Sequence, residues 1–311
     1  MPKRDILAIG ASAGGVEALQ TLVSSLPPDL PAALFVVLHL FPTSESFLPR
    51  ILSRSGPLPA VHPQDGERIE MGKIYVAPPD HHLLVERDHI HLGKGPKEQH
   101  QRPCINVTFR SAAQAYEERV AGAVLTGQLD DGTAGLWEIK RRGGVAIVQH
   151  PEEAAFPSMP LSALRDVVVD HTLPLARIGP LLTRLGTTDG PSKKYSDGGN
   201  NEMHRTVTDL TCPDCRGSLS EAEDGGLTEF RCRVGHVFSP RSLLAEQSAS
   251  QERLLYSALV ALEEGAVLLD RLADKLGPES RERLKEQAQE HSEQASAVRR
   301  VLSSRKSPAL D

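Results

Sequence analysis

The sequence predicts an α/β fold, a doubly wound and mostly parallel sheet, followed by a small cysteine-rich module and an α-helical hairpin. Three observations predict it. Short apolar runs at Ile6-Leu7-Ala8-Ile9, Ala33-Leu34-Phe35-Val36-Val37-Leu38 and Val120-Ala121-Gly122-Ala123-Val124-Leu125 read as buried parallel strands, and the first and third lead through glycine-rich turns into helices near Val16 and Thr133. From Gly186 the composition shifts to Gly, Ser, Asn, Asp and Lys with little apolar content, as in a flexible linker. Beyond it lie paired cysteines and then two long segments with apolar residues at three- and four-residue steps. The expected divisions are 1–186 for the α/β domain, 187–209 for the linker, 210–238 for the cysteine module and 239–311 for the hairpin.

The turn after the first strand is Gly10-Ala11-Ser12-Ala13-Gly14-Gly15. Gly-x-Ser-x-Gly between strand and helix is the nucleophile-elbow pattern, in which glycines permit a sharp turn that lifts the hydroxyl over the sheet edge. Free N–H groups at the following helix N-terminus would meet charge developing on a substrate oxygen. Similar turns also cradle nucleotide phosphates or serve only as tight turns. A serine needs a base, and a carboxylate to orient that base. The second strand ends at His39, and the third runs into Thr126-Gly127-Gln128-Leu129-Asp130-Asp131-Gly132. Ligand sites in open α/β sheets lie beyond the carboxyl ends of the strands, so Ser12, His39 and an aspartate share one rim. The nucleotide alternative lacks support: Leu38-His39 stands where a ribose-binding acid would be, and no Gly-Lys-Ser/Thr element is present.

Residues 5 to about 185 resemble the catalytic domain of the chemotaxis protein-glutamate methylesterases (CheB-type). The signatures stand in family order as Ile9-Gly10-Ala11-Ser12-Ala13-Gly14-Gly15, Val37-Leu38-His39-Leu40, Tyr75-Val76-Ala77-Pro78-Pro79, Arg102-Pro103-Cys104-Ile105-Asn106, Leu125-Thr126-Gly127 through Asp131-Gly132, and Pro157-Ser158-Met159-Pro160. The resemblance implies a serine hydrolase acting on glutamate methyl esters in receptor signalling helices, with glutamine deamidation also known in the family. It places the nucleophile on Ser12, the base on His39 and the carboxylate on Asp131, with Asp130 at a variable position. The Ala13 amide is the expected first oxyanion donor and the turn at Gln128 the second. Gln128-Leu129 replaces the family's Met-Gly, and Cys104 and Asn106 replace its Ser and Asp; these departures bear on substrate contacts more than on the triad. No receiver domain precedes the first strand, so receiver phosphorylation is not expected to control this chain.

The formal charge of −6 over 311 residues argues against general nucleic-acid binding, and aromatics at 4% leave few stacking surfaces. No apolar stretch approaches the roughly 18 residues of a membrane helix and no signal-peptide core is present, so the expectation is a cytoplasmic protein without membrane insertion. No cofactor is expected for catalysis. His81, His82, His89 and His91 cluster around a hairpin but lack a ligand pattern, and are read as a solvent-facing strand. Cys104, remote from the other cysteines, is read as a small buried side chain.

Cys212-Pro213-Asp214-Cys215 and Cys232-Arg233-Val234-Gly235-His236 give C-x₂-C and C-x₃-H knuckles, the spacing of a zinc-ribbon-like Cys₃His site. Its closed ligand set implies a structural Zn²⁺, whose binding would supply folding energy on the order of 10 kcal/mol to a segment too small for its own core. Leu244, Leu254, Leu255, Ala258, Leu262, Leu269, Leu272 and Leu276 form one helical stripe. Leu284, Ala288, His291, Ala295, Val298 and Leu302 form a second, after a break at Gly277-Pro278. The hairpin is expected to pack on itself or the ribbon, or to offer a face to a helical partner or a second copy. The leading functional expectation is a methylesterase acting on a methylated chemoreceptor-like protein. The alternatives are a catalytically weak binding protein that keeps the fold, and a small-molecule esterase.

Overall fold

The computed structural model describes residues 3–40, 42–43, 45–188 and 205–305. In chain order the first part forms β1 (Ile6–Ala11), α1 (Gly15–Ser24), β2 (Ala33–Leu38), α2 (Leu48–Ser55), β3 (Ala60–Val61), β4 (Ile74–Val76), β5 (His82–Val85), β6 (Ile90–Gly93), α3 (Ile105–Tyr116), β7 (Val120–Val124), α4 (Thr133–Arg141), β8 (Val145–Gln149), α5 (Ser158–Asp166), β9 (His171–Leu173) and α6 (Leu175–Thr187). Seven of these strands make one sheet in the order β3-β4-β2-β1-β7-β8-β9, parallel throughout, while β5 and β6 pair as a separate antiparallel hairpin.

The strands read as unbroken apolar runs because both faces are covered. On β1, Leu7, Ile9 and Ala11 join a core with Leu19 and Leu22 of α1, Leu52 of α2 and Ile178 and Leu182 of α6. Ile6 and Ala8 point the other way, into a core with Leu83, Phe109 of α3, Leu136 of α4 and Met159 of α5. From β1 the chain moves to β2 on one side and later returns to β7 on the other. The sheet order therefore reverses at β1, and the crevice beyond the carboxyl ends of β1, β2 and β7 is where such a fold binds ligands.

The cysteine module is an antiparallel four-stranded sheet of β10 (Thr206–Thr211), β11 (Ser218–Asp224), β12 (Leu227–Cys232) and β13 (Val237–Phe238). Gly225 and Gly226, both at positive φ, make the two-residue turn between β11 and β12 that a right-twisted hairpin favours. Residues 189–204 of the expected linker lie outside the described residues. Its last positions need correcting: Thr206 and Val207 pair with Glu221 and Ser220, so ordered structure begins before residue 210.

Two helices follow, α7 (Pro240–Ala273) and α8 (Pro278–Ser304), broken at the expected Gly277-Pro278. Residues from Leu243 onward form a unit of their own. Within it the helices run antiparallel, with Arg305 on the Ser248 carbonyl at 3.1 Å and Arg299 paired with Glu263. The α8 stripe lies on the inner side, where Ala288 and Ala295 are buried. The α7 stripe is partly misassigned: Leu255, Leu262 and Leu269 are half-buried beside buried Leu259, Ala266 and Ala273, while Leu244, Leu254, Ala258, Leu272 and Leu276 are exposed. Ala266, Ala273, Ala288 and Ala295 let the helices approach closely, and Gly265 against the His291 ring belongs to the same narrow contact. Among the described residues, no helix is long and apolar enough to cross a membrane.

Candidate active site

Ser12, His39 and Asp131 meet at the reversal of the sheet. Ser12 follows β1 directly, and its N–H donates to the Thr126 carbonyl at 2.9 Å. Gly14 at φ 72 caps α1 in the left-handed region open to glycine. Gly127 admits the serine: a Cβ there would stand 2.9 Å from Ser12 Cβ and 2.0 Å from Met159 Sδ. The Thr126 hydroxyl donates to the Ala13 carbonyl and accepts from the Phe156 amide, each at 2.9 Å. Its own N–H is held by buried Gln149 at 3.0 Å. Met159 N–H closes onto the Gly127 carbonyl at 3.0 Å, so the Thr-Gly and Pro-Ser-Met-Pro signatures together shape the floor beneath Ser12.

His39 lies at the end of β2, its amide bound to the Ala11 carbonyl at 3.4 Å. Its Nδ1 is 3.1 Å from Ser12 Oγ and its Nε2 is 2.7 Å from Asp131 Oδ2. An ionised carboxylate only accepts, so Nε2 carries the proton and Nδ1 offers its lone pair to the serine hydroxyl. The ring is used in the opposite sense from the chymotrypsin triad, with the same division of roles.

Asp131 is 3% exposed and is the most heavily bonded group of the site. Besides His39, it accepts from Ile105 N–H at 2.8 Å, Asn106 N–H at 3.0 Å, Gly132 N–H at 2.8 Å and Cys104 Sγ at 3.2 Å. Burial alone would raise its pKa; the His39 contact and the Ile105 and Asn106 amides outweigh burial and hold it below the ordinary carboxylate value. Burial and the neighbouring Asp131 charge push the Cys104 thiol well up, which keeps it an S–H donor.

The Arg-Pro-Cys-Ile-Asn segment is thus the cradle of the triad carboxylate: Cys104 is buried as expected, but its departure and that of Asn106 bear on the support of Asp131. Asn106 Oδ1 also accepts from Gly132 N–H at 3.0 Å and Gly135 N–H at 2.7 Å, capping α4 from outside its own sequence. Arg102 braces the segment through Asp80 Oδ1 at 2.7 Å and the Gly95 carbonyl at 2.7 Å, which joins it to the loop after Pro78-Pro79. Sequence reading named this segment but not its contact with Asp131, and it missed Gln149 and Ser162, whose hydroxyl donates to the Leu129 carbonyl at 3.3 Å. Asn106 carried the one usable signal, an amide side chain at a helix start.

The remaining predicted residues fall in different places. Leu129 sits at φ 62, so the position after Gln128, where the family carries glycine, keeps the left-handed backbone that glycine favours. Gln128 is exposed, and neither its amide nor that of Ala13 makes a hydrogen bond among the described residues. His82 is not solvent-facing: it is 4% exposed, with Nε2 on the Pro96 carbonyl at 3.0 Å, because β5 turns that side chain under the 94–101 loop. His91 is exposed and pairs with Asp65 at 2.8 Å.

Asp130 points away from the triad. It is 8% exposed, with one oxygen unpaired. Burial pushes its pKa up from 3.8 to about 6; a hydrogen bond with Ser239 opposes this, the Asp131 charge adds to it and Arg241 opposes it. A carboxyl whose folded pKa lies above its unfolded value contributes stability that is full below the unfolded pKa and is lost as pH rises through the folded one. Asp130→Asn is therefore expected to raise Tm at about pH 7.5 and to give no gain at about pH 4. Thermal unfolding at both pH values checks this, and a lower Tm at the higher pH would contradict it.

In the ribbon, Cys212, Cys215, Cys232 and His236 bring their ligand atoms within 4.8 Å of one another. Cys215 Sγ lies 3.6 Å from Cys232 Sγ, and His236 Nδ1 lies 3.5 Å from Cys232 Sγ and 3.7 Å from Cys212 Sγ. A tetrahedral zinc with ordinary Zn–S and Zn–N bonds has ligand–ligand edges of about 3.5–3.8 Å, so the donor set fits that ion.

Residues 7–182 match the family model described as CheB methylesterase, which is more than half of the chain. The chain belongs to the CheB methylesterase family. This is a family of carboxylic ester hydrolases, and the expected fold is the one observed. The solved Thermotoga maritima CheB methylesterase catalytic domain is similar with a TM-score of 0.56 and 31% identity, covering 58% of this chain and 98% of that one. A Methanosarcina acetivorans protein named protein-glutamate methylesterase/protein-glutamine glutaminase 2 is 40% identical over 190 residues, 58% of this chain. The match spans only about half of that relative, 53% of its length. A Leptospira interrogans relative is 37% identical over 182 residues, 58% of this chain and 94% of its own length.

Proposed function

We propose that this chain is a protein-glutamate methylesterase that works through Ser12, His39 and Asp131. The observation that carries the reading is the unbroken relay from Ser12 Oγ through the His39 ring to buried Asp131. His39 Nδ1 takes the hydroxyl proton as Ser12 Oγ bonds to the ester carbonyl carbon. The tetrahedral oxyanion is received by the unpaired Ala13 and Gln128 amides. On collapse, His39 returns the proton to the methoxy oxygen and methanol leaves, forming a glutamyl ester of Ser12. Water, deprotonated by His39, then releases the glutamate carboxylate and restores the serine. Asp131 holds the imidazole tautomer and faces the imidazolium as it forms. A glutamine side chain follows the same path with ammonia as leaving group, in line with the glutaminase activity named for the relatives.

The test is methanol release from a helical receptor peptide carrying a glutamate methyl ester, alongside a small alkyl ester. The expected result is peptide turnover at a higher kcat/KM, with glutamate as product by mass. Equal or better turnover of the small ester would remove the protein-directed reading.

We further infer that Cys212, Cys215, Cys232 and His236 hold one structural zinc ion. When bound, it supplies a cross-link to a sheet too small to fold on its own core. Native mass spectrometry should show one zinc per chain, lost in Cys232→Ser. A zinc-free chain whose ribbon resists trypsin as well as the loaded form would contradict this.

A further inference from the structure

The residues just after the ribbon's last ligand reach both halves of the Asp131 site. Val237, next to His236, adds a strand-like pair to the strap at 97–101: Gln99 N–H donates to the Val237 carbonyl at 2.7 Å and Val237 N–H to the Lys97 carbonyl at 3.3 Å. Ser239 N–H donates to the Gln99 side-chain oxygen at 3.1 Å. At the other knuckle, Asp214, between Cys212 and Cys215, bonds His100 at 2.8 Å. Gln99 and His100 both sit at positive φ, a backbone that ordinary residues hold only when neighbours fix it. The strap then runs directly into Cys104, Ile105 and Asn106, three of the groups that donate to Asp131.

The second connection is to the turn that carries Asp131. Arg241 Nη1 donates to Ser162 Oγ at 3.2 Å, and Ser162 Oγ donates to the Leu129 carbonyl at 3.3 Å. Ser239, Arg241 and Asp130 line one cavity. Ser239 and Ser242 also cap the start of α7 reciprocally, N–H to Oγ at 3.0 and 3.1 Å, which fixes where Arg241 points. Five residues, Val237 to Arg241, therefore hold the donors of the triad carboxylate on one side and its turn on the other. Their own position follows from the Cys232–His236 knuckle.

We propose that the metal-bound ribbon is a positioning element of the active site, bracing the strap and the turn that fix Asp131, so that loss of metal slackens the triad while the α/β domain stays folded. This rests on the reading of Ser12, His39 and Asp131 as the catalytic relay. Arg241 and Ser239 are its positioning residues. Arg241 acts through Ser162 and Leu129, and Ser239 through Gln99 of the strap.

The molecule carries its own reporter. Trp137 on α4 is the only tryptophan, and its ring lies against the ribbon turn at Gly225, where a Cβ would be 2.2 Å from Cζ2. The experiment uses the full chain loaded with Zn²⁺, stripped by chelation, and reloaded with Zn²⁺ alone. Ser12 labelling by a fluorophosphonate, hydrogen exchange at the Ile105 and Asn106 amides, and Trp137 emission are followed together. Stripping should slow labelling by ~10-fold or more, the scale of a misplaced catalytic group, with faster exchange at both amides and a red-shifted emission, all reversed by Zn²⁺. Arg241→Ala, with zinc retained, should slow labelling by ~3-fold or more and lower kcat rather than raise KM, and Arg241→Lys should recover part of the loss.

If stripping unfolds the whole chain, the zinc-loaded Arg241 variants decide the matter. Unchanged labelling in Arg241→Ala would then overturn the proposal. Unchanged labelling and exchange in a folded, zinc-free chain would also overturn it. Failure of the catalytic reading looks different: Ser12 stays unlabelled in the loaded chain, while exchange at residues 105 and 106 still follows the metal.

Discussion

Ser12→Ala is expected to cut methanol release by at least ~10³-fold while leaving the fold and substrate KM almost unchanged. The Ser12 hydroxyl is the atom placed 3.1 Å from His39 Nδ1, and among the described residues no other hydroxyl is bonded to that ring. Alanine also fits its surroundings. The Ser12 N–H bond to Thr126 is made by backbone, and Gly127 packs against the Cβ that alanine keeps. Stability should therefore move by less than ~1 kcal/mol, as for a half-buried hydroxyl lost without stranding a buried partner. Retained activity within tenfold of the parent would remove Ser12 as nucleophile. A collapse in Tm would instead show that the turn depends on the hydroxyl.

Asp131→Asn is expected to damage both activity and stability. An amide in place of the carboxylate no longer faces an imidazolium, and its NH₂ cannot accept the Nε2 proton. The ring then turns to the other tautomer or loses its alignment, a change worth ~10³–10⁴ in kcat for a serine triad. Four further donors, from Cys104, Ile105, Asn106 and Gly132, also converge on the same two oxygens. Asparagine offers one accepting oxygen and sets N–H groups against N–H groups, with a cost of ~2–5 kcal/mol for buried donors left unpaired. Calorimetry and steady-state kinetics on the same preparation check both halves. A variant as stable as the parent would contradict the bonding described for Asp131.

The rim of strand ends was legible because it follows from sequence order. Apolar runs of strand length followed by Gly-Ser, His and Asp-Asp turns place those side chains beyond the sheet, whatever the details of packing. The knuckles were legible for the same reason: Cys-x₂-Cys and Cys-x₃-His are local spacings. What escaped was contact between distant segments. Cys104 read as filler because nothing near it in sequence shows that its thiol reaches Asp131, 27 residues on. Asn106 caps a helix that begins at Thr133, and Gln149 supports an amide 23 residues earlier. His82 looked solvent-facing by strand alternation, but the loop at Pro96 covers it. The exposed leucines of α7 share a cause. Periodicity shows that a helix has an apolar side, while the alanine seam chooses which residues of that side are covered.

The proposed chemistry depends on Ser12 being a nucleophile activated by His39. Its most direct measurement is peptide mapping of the full chain after reaction with a fluorophosphonate, run in parallel on His39→Ala. One adduct per chain is expected, on Ser12, forming at least ~10²-fold more slowly in the variant. An adduct on another residue, or equal labelling rates with and without the imidazole, would contradict it.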